Sequence, residues 1–183
     1  MKFMNIQHRI NGQVYFITTT VVDWIDIFTR PVYKHIVLES LNYCIANKGM
    51  EIYAWVLMTN HVHLLVGITG ENTVSDIVRD FKKFTSKKLI DMLQQEYTES
   101  RREWMLDRFE FSGRNDKKIK SFRFWQEGTD IQKVFLNDYF EQKMGYIHNN
   151  PVKAEIVNFP HEYRYSSAID YVGGKGLLPA VVV

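Results

Sequence analysis

The sequence predicts one α+β domain, and three observations carry that reading. Runs rich in β-branched and aromatic residues alternate with runs whose apolar residues recur at helical spacing. Their order is strand, helix, strand, strand, helix, strand, helix, the pattern of an antiparallel sheet with helices on one face. The chain has 183 residues, 45% hydrophobic and 24% charged, which suits a single packed core.

Gln13 to Val22, QVYFITTTVV, lacks Gly and Pro and reads as the first strand. A helix follows, opened by Pro31 at its first position, carried by Val32, Ile36, Leu41 and Ile45, and closed by Gly49. Met50 to Met58 and His61 to Ile68 are the second and third strands, and Thr59-Asn60 between them is a hairpin turn. Thr73 with Asp76 three residues on resembles a capping box, opening a helix with Val74, Ile77, Val78, Phe81 and Phe84 on one face. Thr98 to Lys120 is charge-dense with a weak period and reads as a mobile insertion. Ser121 to Gln126, SFRFWQ, is expected to be a short fourth strand. The last helix is expected over about Gln132 to Asn149, with Leu136, Phe140, Met144 and Ile147 in one stripe, ending before Pro151. The tail from about 172 to 183 is expected to be partly disordered. A ferredoxin-like βαββαβ core, with a C-terminal helix added, is the topology this order favours.

The start, MKFMNIQHRINGQ, has no apolar run of signal-peptide length, and no stretch approaches a membrane span, so a cytoplasmic location is expected. One cysteine, Cys44, excludes an internal disulfide and a cysteine-based zinc cluster. Any metal would take N and O ligands. A net charge of +2 says little about a polyanionic partner, so the placement of the basic residues matters more.

Three constellations could carry chemistry. In WVLMTNHVHLLV, strand alternation puts His61 and His63 on one face and Val62, Leu64 and Val66 on the other, so the two imidazoles are neighbours able to bind one divalent ion. A half-exposed strand end would account for them equally. In GYIHNNP, Tyr146 and Asn150 share one side of the last helix, beside the apolar stripe. A tyrosine there can be a covalent nucleophile, or simply an amphipathic packing residue. In RDFKKFTSKKL, Arg79, Lys82, Lys83 and Ser86 face away from the apolar side, and with Lys87 they form a face that could neutralise phosphates or just meet solvent. The aromatic content, 14%, would suit stacking on unpaired bases, although most of those rings must be core.

Taken together and in order, WVLMTNHVHLLV, DFKKFTSKKL, FWQ and YIHNNPVKAEIV…YRYSSA resemble the single-tyrosine HUH transposases of the insertion-sequence 200/605 type, especially their REP-associated tyrosine transposase branch. The resemblance spans roughly Tyr15 to Ala168. It implies a metal-dependent single-stranded DNA endonuclease and strand transferase, acting at hairpin-bearing DNA as a monomer or homodimer. His61 and His63 would be metal ligands for Mg²⁺ or Mn²⁺, and Tyr146 the nucleophile that forms a 5′-phosphotyrosine link and frees a 3′-hydroxyl. Insertion-sequence relatives carry Gln four residues after the tyrosine as third ligand, and Asn150 stands there, one methylene shorter. Relatives often carry His-Pro after Phe-Trp-Gln, and Asp130 stands at about that place. The alternative is a domesticated DNA- or hairpin-binding protein with little cleavage.

Overall fold

The computed structural model describes residues 13–95, 98–114, 121–135 and 137–183. Its elements are β1 (Gln13–Thr20), α1 (Pro31–Lys48), β2 (Met50–Leu57), β3 (His61–Ile68), α2 (Val74–Gln95), α3 (Arg102–Gly113), β4 (Asp130–Val134) and α4 (Asn137–Lys153). The four strands form one sheet in the order β2-β3-β1-β4, with every pairing antiparallel. This is the α+β, ferredoxin-like order expected.

Local chemistry sets the element ends. Gly49 closes α1 in the left-handed region at φ 68°, which a Cβ would not tolerate because it would lie 1.9 Å from the Thr69 carbonyl oxygen. Thr73 and Asp76 form the capping box of α2, Asp76 N–H donating to Thr73 Oγ1 at 3.2 Å and Thr73 N–H to Asp76 Oδ2 at 3.4 Å. The two-residue Thr59-Asn60 turn joins β2 to β3 and puts His61 at the first position of its strand.

Residues 62–67 of β3 are buried on both faces, so both faces of the sheet are covered. The helix α4 covers the face that carries His61 and His63, with Phe140 against Tyr53 and Tyr146 against Phe16. The mutually packed α1 and α2 close the other face. The approach of Tyr53 beneath α4 depends on Gly67, where an added Cβ would sit 2.8 Å from the tyrosine oxygen.

Four expectations need correction. Ser121–Gln126 is not the fourth strand. Its pairing with the chain beyond β1 is limited to a single isolated bridge, Trp125 to Val21, while Arg123 N–H turns away to the Phe109 carbonyl at 2.8 Å. Its two rings form a wedge instead, Phe124 against Phe109 and Trp125 against Phe28 and Phe81, and the edge strand β4 comes later. Residues 98–114 of the expected insertion hold α3, whose Met105 and Phe109, one turn apart, are buried; 115–120 lie outside the described residues. The helix α4 neither begins at about Gln132, which lies in β4, nor stops before Pro151: it spans Asn137–Lys153 through the proline, ending where Glu155 turns left-handed at φ 55° and Ile156 N–H bonds the Pro151 carbonyl. Only one helical hydrogen bond is lost to the proline ring nitrogen. Leu136, assigned to its stripe, lies outside the described residues.

The tail expected to be partly disordered is held down. Leu178 is 1% exposed, Val181 N–H donates to the Ile52 carbonyl at 2.8 Å, and the Tyr171 hydroxyl donates to the Tyr53 carbonyl at 2.7 Å. Among the described residues, no helix is long and apolar enough to cross a membrane.

Candidate active site

Cross-strand register builds the floor of the site. Thr20 lies opposite His61, Thr18 opposite His63, and Asp130 of β4 opposite Thr18, so these side chains share one face in two rows. The helix α4 then lays Lys143, Tyr146 and Asn150 over that face, enclosing an open cavity of about 540 Å³. Trp24, Phe16 and Gln132 complete its wall.

The two imidazoles meet edge to face with centroids 4.7 Å apart. His63 is 5% exposed, stacks on Phe16 at 5.6 Å, and shares a hydrogen bond between its Nδ1 and Thr18 Oγ1 at 2.9 Å. Burial, then the neighbouring His61 and Lys143, push its pKa down to about 3. His61 is also lowered, by burial above all, although a hydrogen bond to Asn150 that favours the protonated ring and the charge of Asp26 oppose the shift. Both rings are therefore neutral at ordinary pH and able to offer a lone pair.

Asn60 determines which nitrogen of His61 offers it. The Asn60 Nδ2 group donates to the Trp24 carbonyl at 3.1 Å and to Asp26 Oδ1 at 3.0 Å, so its Oδ1 faces His61 Nδ1 at 2.7 Å as an acceptor. His61 Nδ1 must then carry the proton, and Nε2 keeps the lone pair. His63 Nδ1 is taken up by Thr18 Oγ1, so its Nε2 is the ring nitrogen left to face the cavity, and the Tyr146 hydroxyl lies 3.5 Å from it. Tyr146 is 40% exposed, packs edge-on against His63 at 5.1 Å and against Phe16 at 6.0 Å, and has the Lys153 ammonium 5.4 Å from its ring centroid.

Of the residues singled out in the sequence, His61, His63, Tyr146 and Asn150 thus come together in one cavity. Asp130 joins them at the β4 edge, donated to by Gln132 Nε2 at 2.7 Å. Two other histidines lie outside the cavity: His148 is buried against Ser167 at 2.9 Å, and His161 stacks on Phe159. Thr18, Trp24, Asn60 and Lys143 escaped sequence reasoning. Thr18 and Lys143 reach the site through pairing and packing distant in sequence, whereas the Thr-Asn turn just before His61 did carry a usable signal.

As a metal centre, the donor set is two imidazole nitrogens and one amide oxygen. Among the described residues no three His, Cys, Asp or Glu side chains converge on a point. An ion here would keep open positions for water and a substrate oxygen, as catalytic rather than structural sites do, so these residues fit such an ion.

The basic face behaves differently from its sequence reading. Arg79 is tied to Asp76 at 2.7 Å and Asp80 at 3.1 Å. Lys82 donates to the carbonyls of Gln126 and Gly128, each at 2.9 Å, and burial lowers its pKa, so it buttresses the 126–129 turn. Lys83, Ser86 and Lys87 line a separate open groove of about 800 Å³ between α2 and residues 121–127, floored by Phe122 and Trp125.

A family described as "Transposase IS200 like" matches residues 14–115. Among curated proteins none matches. Among solved structures, the chain is similar to a REP-associated tyrosine transposase bound to a REP hairpin, with TM-score 0.61 and 18% identity over 94% of this chain and 87% of that one. It is also similar to a proposed transposase from Deinococcus radiodurans R1, with TM-score 0.46 and 17% identity over 81% of this chain and 97% of that one.

Proposed function

Because the chain belongs to the IS200-like transposase family, and so is a DNA transposase, we propose that it nicks and rejoins single-stranded DNA through Tyr146, at sites marked by a hairpin. The observation that carries this reading is the Tyr146 hydroxyl 3.5 Å from His63 Nε2, in a cavity shared with His61 and Asn150. A hairpin-bound structural neighbour supports the substrate class.

His61, His63 and Asn150 would hold a divalent ion, Mg²⁺ or Mn²⁺, which when bound polarises the scissile phosphate. Tyr146 Oη attacks phosphorus and gives its proton up to solvent; the bond to the 3′ oxygen breaks and that oxygen takes a proton back, leaving a 5′-phosphotyrosine and a free 3′-hydroxyl. Reversal by a 3′-hydroxyl from another strand transfers the DNA. Lys143 lines the cavity and Lys153 lies over the Tyr146 ring, two cations that favour an entering phosphate. Tyr146 and His63 meet within one chain, which supports a site assembled in cis, so that a monomer suffices.

The test is incubation with hairpin-bearing single-stranded oligonucleotides and Mn²⁺, followed by a denaturing gel. A covalent protein–DNA adduct is expected. Tight hairpin binding with no adduct would instead make the chain a binding module.

Asn60→Ala should free the His61 ring to rotate and to change tautomer. We expect divalent-ion affinity to fall about tenfold or more without DNA present, read by calorimetric titration with Mn²⁺. Unchanged affinity would remove Asn60 from the assignment.

Lys83 and Lys87 are proposed phosphate contacts in the α2 groove. Replacing either by Ala should reduce the salt dependence of DNA binding by about one unit of slope. Lys82→Ala should instead lower the melting temperature, because it breaks the bonds to Gln126 and Gly128. Equal effects of all three on the salt slope would refute this division.

A further inference from the structure

We propose that Trp24 is a stacking platform for the nucleobase next to the scissile phosphate, an inference that rests on the strand-nicking reading above. Trp24 lines the cavity beside His61, its indole edge to face with that ring at 6.1 Å and 74°, yet it is 59% exposed. Core packing does not explain an indole so open. The other rings of the wall are engaged: Phe16 stacks on His63 and carries Lys143 at 4.2 Å, and Tyr146 carries Lys153.

The backbone is strained to put it there. Asp23 and Trp24 are consecutive non-glycine residues in the left-handed region, at φ 52° and 55°. Separate elements hold that conformation. Val22 N–H donates to the Phe124 carbonyl at 2.9 Å, Arg108 Nε of α3 donates to Asp23 Oδ2 at 3.0 Å, and Asn60 Nδ2 of the β2–β3 turn donates to the Trp24 carbonyl at 3.1 Å. Asn60 is the same side chain that orients His61, so the indole and the imidazole are positioned by one amide. An indole about 6 Å from an imidazole that would hold the ion on the scissile phosphate is within one nucleotide's reach. Every base offers a π face, so the platform needs a base at that nucleotide but not a particular one.

The test locates the cleavage point with the wild-type chain, then scans abasic sites through the flanking nucleotides. Binding is measured in a Tyr146→Phe background, which cannot turn over, with Trp104→Phe removing another exposed indole. One abasic position is expected to weaken binding about tenfold in the protein with Trp24, and little with Trp24→Asn. Asn tolerates the left-handed backbone, so that variant keeps the fold. Trp24→Phe should retain most of the affinity. DNA should quench fluorescence that is absent from the Trp24→Phe protein. A flat abasic scan, or no Trp24-dependent quenching, overturns the platform while adduct formation leaves the nuclease reading standing. If the wild-type chain forms neither adduct nor complex, the nuclease reading falls and the platform with it.

Discussion

Tyr146→Phe is expected to abolish the covalent adduct, with strand cleavage falling by roughly three orders of magnitude or more, as removal of a nucleophile does elsewhere. Hairpin binding should change little. The substitution removes one oxygen from a residue 40% exposed, and the ring keeps its edge contacts with Phe16 and His63. Stability should therefore be nearly unchanged, since the deleted hydroxyl makes only a long contact, 3.5 Å, to His63. That separation is diagnostic. A tyrosine that merely packs would show neither loss of cleavage nor loss of adduct, so cleavage within tenfold of wild type would refute the covalent mechanism.

Acid should unfold the metal-free protein earlier than carboxylate titration alone would. Burial pushes His63 down to about 3 and His148 down to about 4, against an ordinary imidazole value of 6.5. Below pH 6.5 the unfolded chain binds protons that the native chain refuses, so stability is complete above that pH and declines as pH falls towards 4. Each unit is worth about 1.4 kcal/mol per group, so two groups over two units cost on the order of 5 kcal/mol. A domain of ordinary stability, about 5–15 kcal/mol, feels that loss as a large fraction of the whole. Denaturant melts at pH 7.0, 5.5 and 4.5 should show it. His148→Gln, which cannot titrate, should recover about half of it. Flat stability down to pH 5 would count against the burial of both rings.

The fold was legible where local signals agree. Pro31 and Gly49 bracket α1, the Thr73–Asp76 box opens α2, and the Thr-Asn turn joins β2 to β3, each a short-range rule obeyed in the structure. The His-x-His alternation and the Tyr146–Asn150 helical spacing need only strand and helix periods, and those four residues do converge. What failed was whatever depends on partners far away. The Phe-Trp-Gln run has strand composition, but Trp125 is drawn inward to donate its indole N–H to Thr85 at 2.9 Å. Lys82 has the charge of a DNA contact, yet only tertiary packing reveals that its ammonium is spent on the backbone of residues 126 and 128. Pro151 obeys a statistical rule for helix ends that this helix overrides, because Pro151 itself is buried.

The ordered C-terminal segment bears on which sheet edge another molecule could pair with. In the order β2-β3-β1-β4, both outer strands could template pairing with another molecule. Along β2, however, Leu57 N–H reaches the Tyr165 carbonyl, Ser167 N–H reaches the Trp55 carbonyl, and Val181 N–H reaches the Ile52 carbonyl. Residues 165–181 thus occupy three backbone groups of that margin and shield it from another strand. Among the described residues the margin left over is β4, five residues long and bearing Asp130 and Lys133, too short and too charged to zip readily onto a neighbour. Among the described residues the sheet thus stays open at one end, the end whose Asp130 and Gln132 line the cavity of His61, His63 and Tyr146.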